Sequence, residues 1–472
     1  MTDTQKQLFE EYKAFIFSHS VPDGEIVAKD DFHLRLNSPY AEGQVNFYDL
    51  EEANAFVVEL SVMQTKDDKA CFYLHFELKD LAYAKELFVE MLGSYIAVKD
   101  MGKTRILLCC TSAFTTTYFA NKLNETVEFL ALPFEFSAVS YDRVFKTAFD
   151  YDMVLLAPQV AFHEEAVRHI FDDIPILAVP PTVFASYDAA GLIEAVRREL
   201  EAFKAKAKEL SSPIAKESAP SDKTILSIAV IRNWGHAQIA YRLYEKGVPG
   251  EEQTVLKGRL DVVNDICDIM DTVACLKSDY DIVSISLPGI ISDGHVILDT
   301  HISPYVDLVE LLEDKYKIPV VLLNDTDAAA AGLALTKKDY ASVAFYFLPD
   351  DKFSGGVGFS VDGKIYSGRH GIAGEMQFIT KSIYPRNGMM LPNSDMRSMT
   401  LNVAAFCTKV IAATVDPDLV CVCSRILSEV DQLQEMVQKD IPGQFLPDII
   451  ACDEAEMKEY MLLGAMLSAL GE

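Results

Sequence analysis

Leu322-Leu323-Asn324-Asp325-Thr326-Asp327 runs straight into Ala328-Ala329-Ala330-Ala331, and further on Gly371-Ile372-Ala373-Gly374-Glu375 follows a glycine-rich hairpin. The first stretch decides the fold. An apolar run ending in Asn-Asp before small residues reads as a strand passing into a helix, which sets a carboxylate at the carboxyl end of a sheet strand. Open α/β sheets bind their ligands there. A carboxylate so placed can take a proton from a hydroxyl, which makes Asp325 the candidate general base.

Composition bounds the rest. At 472 residues the chain exceeds one ordinary core and predicts roughly three domains. No apolar run approaches the roughly 20 residues of a membrane helix. Met1-Thr2-Asp3-Thr4-Gln5 has neither the basic nor the apolar region of a signal peptide, so a cytoplasmic protein is expected. Nine cysteines, in no metal-like CxxC pairing, fit a reducing compartment, and Cys421-Val422-Cys423 lies in an apolar run that reads as core. With 42 basic residues against 71 acidic ones, a formal charge of −29 repels nucleic acid, and no nucleic-acid partner is expected.

The fold class expected is α/β and multidomain. Residues 1–100 read as a small α+β unit. It opens with an amphipathic helix around Leu8, Tyr12, Phe15 and Ile16, followed by strands. The clearest strand is 71–78, where Phe72, Leu74, Phe76 and Leu78 alternate with Tyr73, His75 and Glu77. His75 falls on the less apolar side and reads as a surface or packing residue. A helix then stripes Leu81, Ala84, Leu87, Phe88 and Met91. Residues 103–203 alternate strand and helix as a compact parallel α/β domain, with strands at 105–109, 153–157 and 175–179 and helices at 118–128, 164–171 and 189–203. Residues 204–223, rich in Lys, Ala, Ser and Pro, read as a linker. Residues 224–472 alternate again over a length that suits two lobes.

In the second segment a strand runs into Cys109-Cys110-Thr111-Ser112-Ala113-Phe114-Thr115-Thr116-Thr117 and then a helix. Backbone N–H groups and the helix dipole stabilise thiolate and phosphate alike, and the hydroxyls of Thr111, Ser112, Thr115 and Thr116 add donors. Cys110 is the candidate carrier of a phosphoryl group, and Cys109, pointing the other way, is expected in the core. The segment resembles the enzyme IIB component of the phosphotransferase sugar-uptake system, lactose/cellobiose type. The resemblance rests on Leu107-Leu108-Cys109-Cys110, on Ala120-Asn121-Lys122-Leu123-Asn124-Glu125 and on Tyr151-Asp152-Met153-Val154-Leu155-Leu156-Ala157-Pro158-Gln159-Val160. It implies that Cys110 accepts phosphate from a histidine of an enzyme IIA partner and passes it to sugar. The family's loop usually holds a glycine where this chain has Ala113 and Phe114, and a retained fold with an inert buried cysteine is the alternative.

From Thr224 onward the chain resembles the ROK family of sugar kinases and sugar-responsive regulators, which share the two-lobed actin/hexokinase fold. Its landmarks are Ser284-Ile285-Ser286-Leu287-Pro288-Gly289-Ile290, Asp293-Gly294-His295-Val296-Ile297, Asn324-Asp325, Asp362-Gly363-Lys364-Ile365-Tyr366-Ser367-Gly368 and Gly371-Ile372-Ala373-Gly374-Glu375. The resemblance implies a sugar or sugar phosphate held by Gly289, Asn324, Asp325 and Glu375. Phe378 replaces the family's histidine, and 381–399 holds no cysteine or histidine, so no zinc is expected.

The nucleotide side departs systematically. Where the family has Asp then Gly-Gly-Thr, this chain reads Ile231-Arg232-Asn233-Trp234-Gly235-His236. The second glycine loop aligns with Lys352-Phe353-Ser354, of which only the following Gly355, Gly356 and Gly358 survive. The adenosine-side glycines align with Cys423-Ser424-Arg425. No cofactor is assigned, and Mg-ATP enters only if the chain is a kinase. The expected function is a pseudokinase that binds a sugar or sugar phosphate and serves as a sensor or regulator linked to the phosphotransferase system. The alternatives are an active ROK sugar kinase and a working enzyme IIB component using Cys110. Family repressors carry an N-terminal helix-turn-helix, whereas this chain opens with an acidic α+β unit. The family also implies a homo-oligomer.

Overall fold

In a computed structural model, the structure describes residues 2–22, 24–65, 70–101, 103–111, 114–130, 132, 134–148, 151–164, 167–168, 174–210, 221–233, 236–277, 280–292, 295–297, 306–349, 355–383, 396–424, 427 and 430–471. They form two compact units, Met1–Lys99 with Ala215–Gly388 and Val403–Glu472, and Asp100–Ile214 with Met389–Asn402.

The larger unit begins with helix α1 (Asp3–Phe17). A capping box starts it, with Gln5 N donating to Thr2 Oγ1 and Thr2 N donating to Gln5 Oε1. Strands β1 (Glu25–Ala28), β2 (His33–Asn37), β3 (Ala41–Leu50), β4 (Ala55–Gln64) and β5 (Ala70–Glu77) pair in sequence order as an antiparallel meander. Helix α2 (Leu81–Met101) follows. Alternation buries Phe72, Leu74 and Phe76 of β5 with Phe9, Tyr12 and Ile16 of α1 and Phe88 of α2 in one core.

The smaller unit is a parallel α/β sheet. Strands β6 (Thr104–Cys110), β7 (Phe134–Ser140), β8 (Met153–Leu156) and β9 (Ile176–Ala178) lie in the order β7-β6-β8-β9. The helices are α3 (Phe114–Phe129), α4 (Tyr141–Thr147), α5 (Pro181–Ser186) and α6 (Ala189–Leu210). The chain leaves β6 for β7 on one side and reaches β8 on the other, so the carboxyl end of β6 lies at a topological switch point. Helix α6 runs through Leu210, into the stretch expected as linker. Its Lys-Ala-Lys-Ala-Lys run is a strong helix former, and propensity outweighs the linker-like composition. Residues 211–220 lie outside the described residues, as does most of the helix expected at 164–171.

The chain then returns to the larger unit. Strands β10 (Thr224–Asn233) and β11 (His236–Glu245) pair antiparallel, β12 (Val248–Pro249) and β13 (Gln253–Lys257) pair with β11, and helix α7 (Val262–Lys277) follows. Strand β14 (Ile282–Leu287) pairs parallel to β10, and β15 (Ile290–Ser292), β16 (His295–Ile297) and β17 (Val306–Asp307) form a small sheet. Helix α8 (Leu308–Tyr316) leads to β18 (Val320–Asn324), parallel to β14, and to α9 (Asp325–Thr336). The second lobe holds β19 (Ser342–Phe347), β20 (Gly356–Val361), β21 (Lys364–Ile365), α10 (Gln377–Ile383), α11 (Met396–Thr414), β22 (Leu419–Cys423), α12 (Asp431–Gln438), β23 (Asp448–Cys452) and α13 (Glu454–Leu470). Its sheet has the order β21-β20-β19-β22-β23.

Residues 1–100 read from sequence as a unit of their own, whereas the structure runs their sheet into that of the first lobe. The order is β1-β2-β3-β4-β5-β13-β11-β10-β14-β18, joined through the pair Leu256↔Tyr73. Side chains reinforce the seam. Lys257 Nζ reaches Asp265 at 2.5 Å and Glu90 at 3.7 Å, and Tyr83 OH of α2 donates to Asp268 of α7 at 2.7 Å.

Helices α9 and α13 cross with their backbones touching. A Cβ on Gly332 would lie 2.1 Å from the Tyr460 carbonyl oxygen, and one on Gly464 1.9 Å from that of Ala328. Small residues are required on both sides, which is why α9 is written Ala328-Ala329-Ala330-Ala331-Gly332. Among the described residues no helix is long and apolar enough to cross a membrane.

Candidate functional site

The site grows from the junction of β18 and α9. Asn324 is the N-cap of α9, and its Oδ1 accepts from Thr326 N at 2.9 Å, Thr326 Oγ1 at 2.6 Å and Asp327 N at 3.2 Å. Its Nδ2 donates to the Gly289 carbonyl at 2.8 Å, which ties the end of β18 to the turn after β14. Gly289 and Asn324 therefore meet, as the sequence reading grouped them. Asn324 is first a clamp on the backbone, and an amide has one further N–H for a ligand.

Asp325 opens α9 and is 8 % exposed, with Oδ1 accepting from Thr326 N at 2.9 Å. Asp327, buried in the same first turn, is the functional candidate that sequence reasoning passed over. Its Oδ2 accepts from Ser367 Oγ at 2.5 Å. Burial pushes its carboxyl up to about 6, opposed by the Ser367 bond, raised further by the Glu375 charge and lowered again by the Phe359 backbone N–H. Asp327 and Glu375 are thus electrostatic neighbours, one from α9 and the other from the loop after β21. The available signal was the Asp-x-Asp spacing at the head of an alanine helix. What it lacked was Ser367 and Glu375, both brought in by distant loops.

Glu375 is half-buried and accepts from Gln377 Nε2 at 2.8 Å. Its backbone bridges Gly356, and the preceding Gly374 sits at φ +84° against β20, where a Cβ would fall 1.8 Å from the Val357 carbonyl oxygen. Glycine is what lets Glu375 reach the α9 terminus. Phe378 is 48 % exposed beside it in the chain. The carboxylates of Asp325, Asp327 and Glu375 make a cluster suited to accepting hydrogen bonds from hydroxyls.

On the nucleotide side, β10 continues into the stretch aligned with the family's first phosphate loop and ends at Asn233. Ile231 pairs with Gln238, Arg232 with Ala237 and Asn233 with His236 in an unbroken ladder. Cross-strand pairing, which a pattern of apolar residues does not report, extends the strand. Trp234, Gly235, Lys352, Phe353, Ser354 and Arg425 lie outside the described residues, as do the side chains of 381–398. Gly358 is explained by chain packing, since its Cβ would lie 2.0 Å from the Thr326 carbonyl oxygen. Among the described residues no cluster of His, Cys, Asp and Glu could hold a metal ion.

In the smaller unit Cys110 ends β6 at the switch point and is 2 % exposed. Its Sγ lies 3.5 Å from Thr116 Oγ1 and 4.0 Å from Thr115 Oγ1. Both threonines belong to the first turn of α3, Thr116 buried and Thr115 exposed, while Thr111 is exposed ahead of it. Ser112 lies outside the described residues. Cys109 is fully buried.

These features define a mixed α/β protein whose larger unit carries an acidic cluster at the carboxyl end of a parallel strand. Residues 251–390 match the ROK family, so the chain carries a ROK family domain there. Solved structures similar to this chain include a ROK hexokinase from Thermus thermophilus, at 12 % identity over 53 % of this chain and 100 % of that one, TM-score 0.41. A ROK family glucokinase from Streptomyces griseus, solved in complex with glucose and AMPPNP, is 17 % identical over 53 % and 100 %, TM-score 0.40. A ROK family transcriptional regulator, homolog of the E. coli MLC protein, is 14 % identical over 53 % and 81 %, TM-score 0.36. No curated protein matches the chain.

Proposed function

We propose that the ROK-like part binds a sugar or sugar phosphate through Gly289, Asn324, Asp325 and Glu375 and acts as a sensor or regulator linked to the phosphotransferase system, without kinase activity. One contrast carries this reading. The acid cluster at the head of α9 is intact, while the hairpin that would cradle phosphate is a continuous ladder through Arg232 and Asn233. Phosphoryl transfer depends on positioning and on neutralising charge. A general base at Asp325 without those parts binds hydroxyls and does little else. The test is the thermal midpoint of the intact chain against hexoses, amino sugars and sugar phosphates, with and without Mg-ATP. Bound ligand stabilises by mass action, about 2.7 kcal/mol at a hundredfold excess over Kd. A rise with one sugar class, lost in Asp325→Asn and absent with Mg-ATP alone, is expected. Sugar-dependent ATP consumption would make the domain a kinase, and silence from every sugar would overturn the reading.

A second reading concerns the smaller unit, where Cys110 at a switch point beside Thr116 Oγ1 suits a phosphocysteine. Incubation with phosphorylated enzyme IIA should add a phosphate mass that Cys110→Ser lacks. An unlabelled wild-type chain under an active relay would leave Cys110 as a core residue.

A further inference from the structure

Away from the acid cluster, a cavity of about 530 Å³ lies between the strands of residues 1–100 and the β11–β13–α7 layer. That is the size of a small-molecule site. Alternation makes its first wall. Phe47, Val58, Leu60, Leu74 and Phe76 point into the core, which leaves Tyr48, Glu59, Tyr73 and His75 on the opposite face. Tyr241 of β11, two strands along the same sheet, and Thr272 of α7 complete the lining.

The polar groups there are organised. Glu59 Oε1 accepts from Asn46 Nδ2 at 2.7 Å and from Tyr48 OH at 3.4 Å, and its Oε2 accepts from Tyr73 OH at 3.1 Å. A carboxylate offers about four acceptor sites, so one remains. His75 Nε2 meets Tyr241 OH at 3.1 Å, and burial pushes the imidazole down to about 4 against the pull of Glu59, so it is neutral near pH 7. The cation in this wall, Arg242, is turned away, its guanidinium bound by Glu459 at 2.7 and 2.8 Å. Thr272 Oγ1 is buried without a hydrogen-bond partner among the described residues. The cavity therefore presents the half-buried carboxylate of Glu59, tyrosine rings and an unused hydroxyl, with the exposed Glu245 and Glu251 adding negative charge to its lining.

We infer that this cavity binds a small protonated amine, its ammonium on Glu59 and its body between the rings of Tyr73 and Tyr241. A carboxylate supplies the charge-assisted hydrogen bond and aromatic faces attract the cation. Because the walls come from residues 1–100 and from the first lobe, occupancy stabilises the seam between them. The inference is independent of the sugar site.

The intact chain is titrated calorimetrically with putrescine, glucosamine and phenethylamine beside the neutral butanediol, glucose and phenylethanol. At least one amine is expected to bind where its neutral counterpart does not. Glu59→Gln keeps the shape of the side chain and removes its charge, and should weaken that amine by about tenfold to a hundredfold, the loss of a charged hydrogen bond. Tyr48→Ala, at a position 40 % exposed, tests the aromatic wall without touching the core and should weaken the same amine. No binding by any amine, equal binding of amine and neutral partner, or wild-type affinity in Glu59→Gln would each overturn the inference. So would amine binding lost in Asp325→Asn and kept in Glu59→Gln, which would place the amine in the sugar site.

Discussion

Asp327→Asn isolates the cost of the buried carboxylate at the head of α9. The carboxyl stands at about 6 in the folded chain against an ordinary 3.8, chiefly because burial disfavours its charge. The folded state therefore holds a proton that the unfolded state has released between those values. Stability contributed by the protonated form is fully present below 3.8 and is lost as pH rises to about 6. At 1.36 kcal/mol per pKa unit the loss is about 3 kcal/mol. The asparagine variant keeps a neutral acceptor for Ser367 Oγ and carries no charge, so its stability lacks this component. Urea midpoints of the larger unit, measured for both proteins near pH 4, where the unfolded carboxyl is already partly ionised, and near pH 7.5, should show the variant gaining about 2.5 kcal/mol on the wild type between the two conditions. A wild-type-minus-variant difference independent of pH would refute the burial argument. A difference that grows in favour of the wild type as pH rises would mean that Asp327 is stabilised as a carboxylate by a partner.

Gly464→Val drives two methyl groups toward the Ala328 carbonyl at the α9–α13 crossing and should cost about 3 kcal/mol, seen as a lower urea midpoint; an unchanged midpoint would mean that the helices can separate freely. Asn324→Asp preserves the N-cap acceptor but sets two oxygens across the 2.8 Å contact with Gly289, so it should cost about 1–3 kcal/mol at neutral pH and less in acid, where the carboxyl can donate. Equal losses at both pH values would place the cost elsewhere.

What the sequence displays is what is local. The β18–α9 junction is legible because an apolar run, an N-capping Asn and a small-residue helix adjoin one another, and the alternation of 103–203 follows from periodicity alone. The seam between β5 and β13 is not legible, because the strand pair Leu256↔Tyr73, the Lys257–Glu90 ion pair and the Tyr83–Asp268 hydrogen bond join residues far apart in the chain. His75 illustrates the same limit. Its side of the strand is the less apolar one, yet Tyr241 closes over it and the ring is buried. Asp327 looks like any residue of a helix start until Ser367 and Glu375 arrive beside it.

Helix α9 connects these observations. Its N-cap holds Gly289 of the first lobe, its first turn holds Ser367 of the second, and its body is locked onto α13 by Gly332 and Gly464. A sugar that bridges Asp325 and Glu375 therefore bears on both lobes at once, through a helix whose own position is fixed by backbone contact. On the proposed reading, the lobes turn about α9 when the site fills, because the helix is tied to Gly289 on one side and to Ser367 on the other. In a kinase such closure aligns a phosphate with the sugar. On the same reading, which assigns no kinase activity, the consequence of closure is the change of shape itself, which is what a partner protein can read.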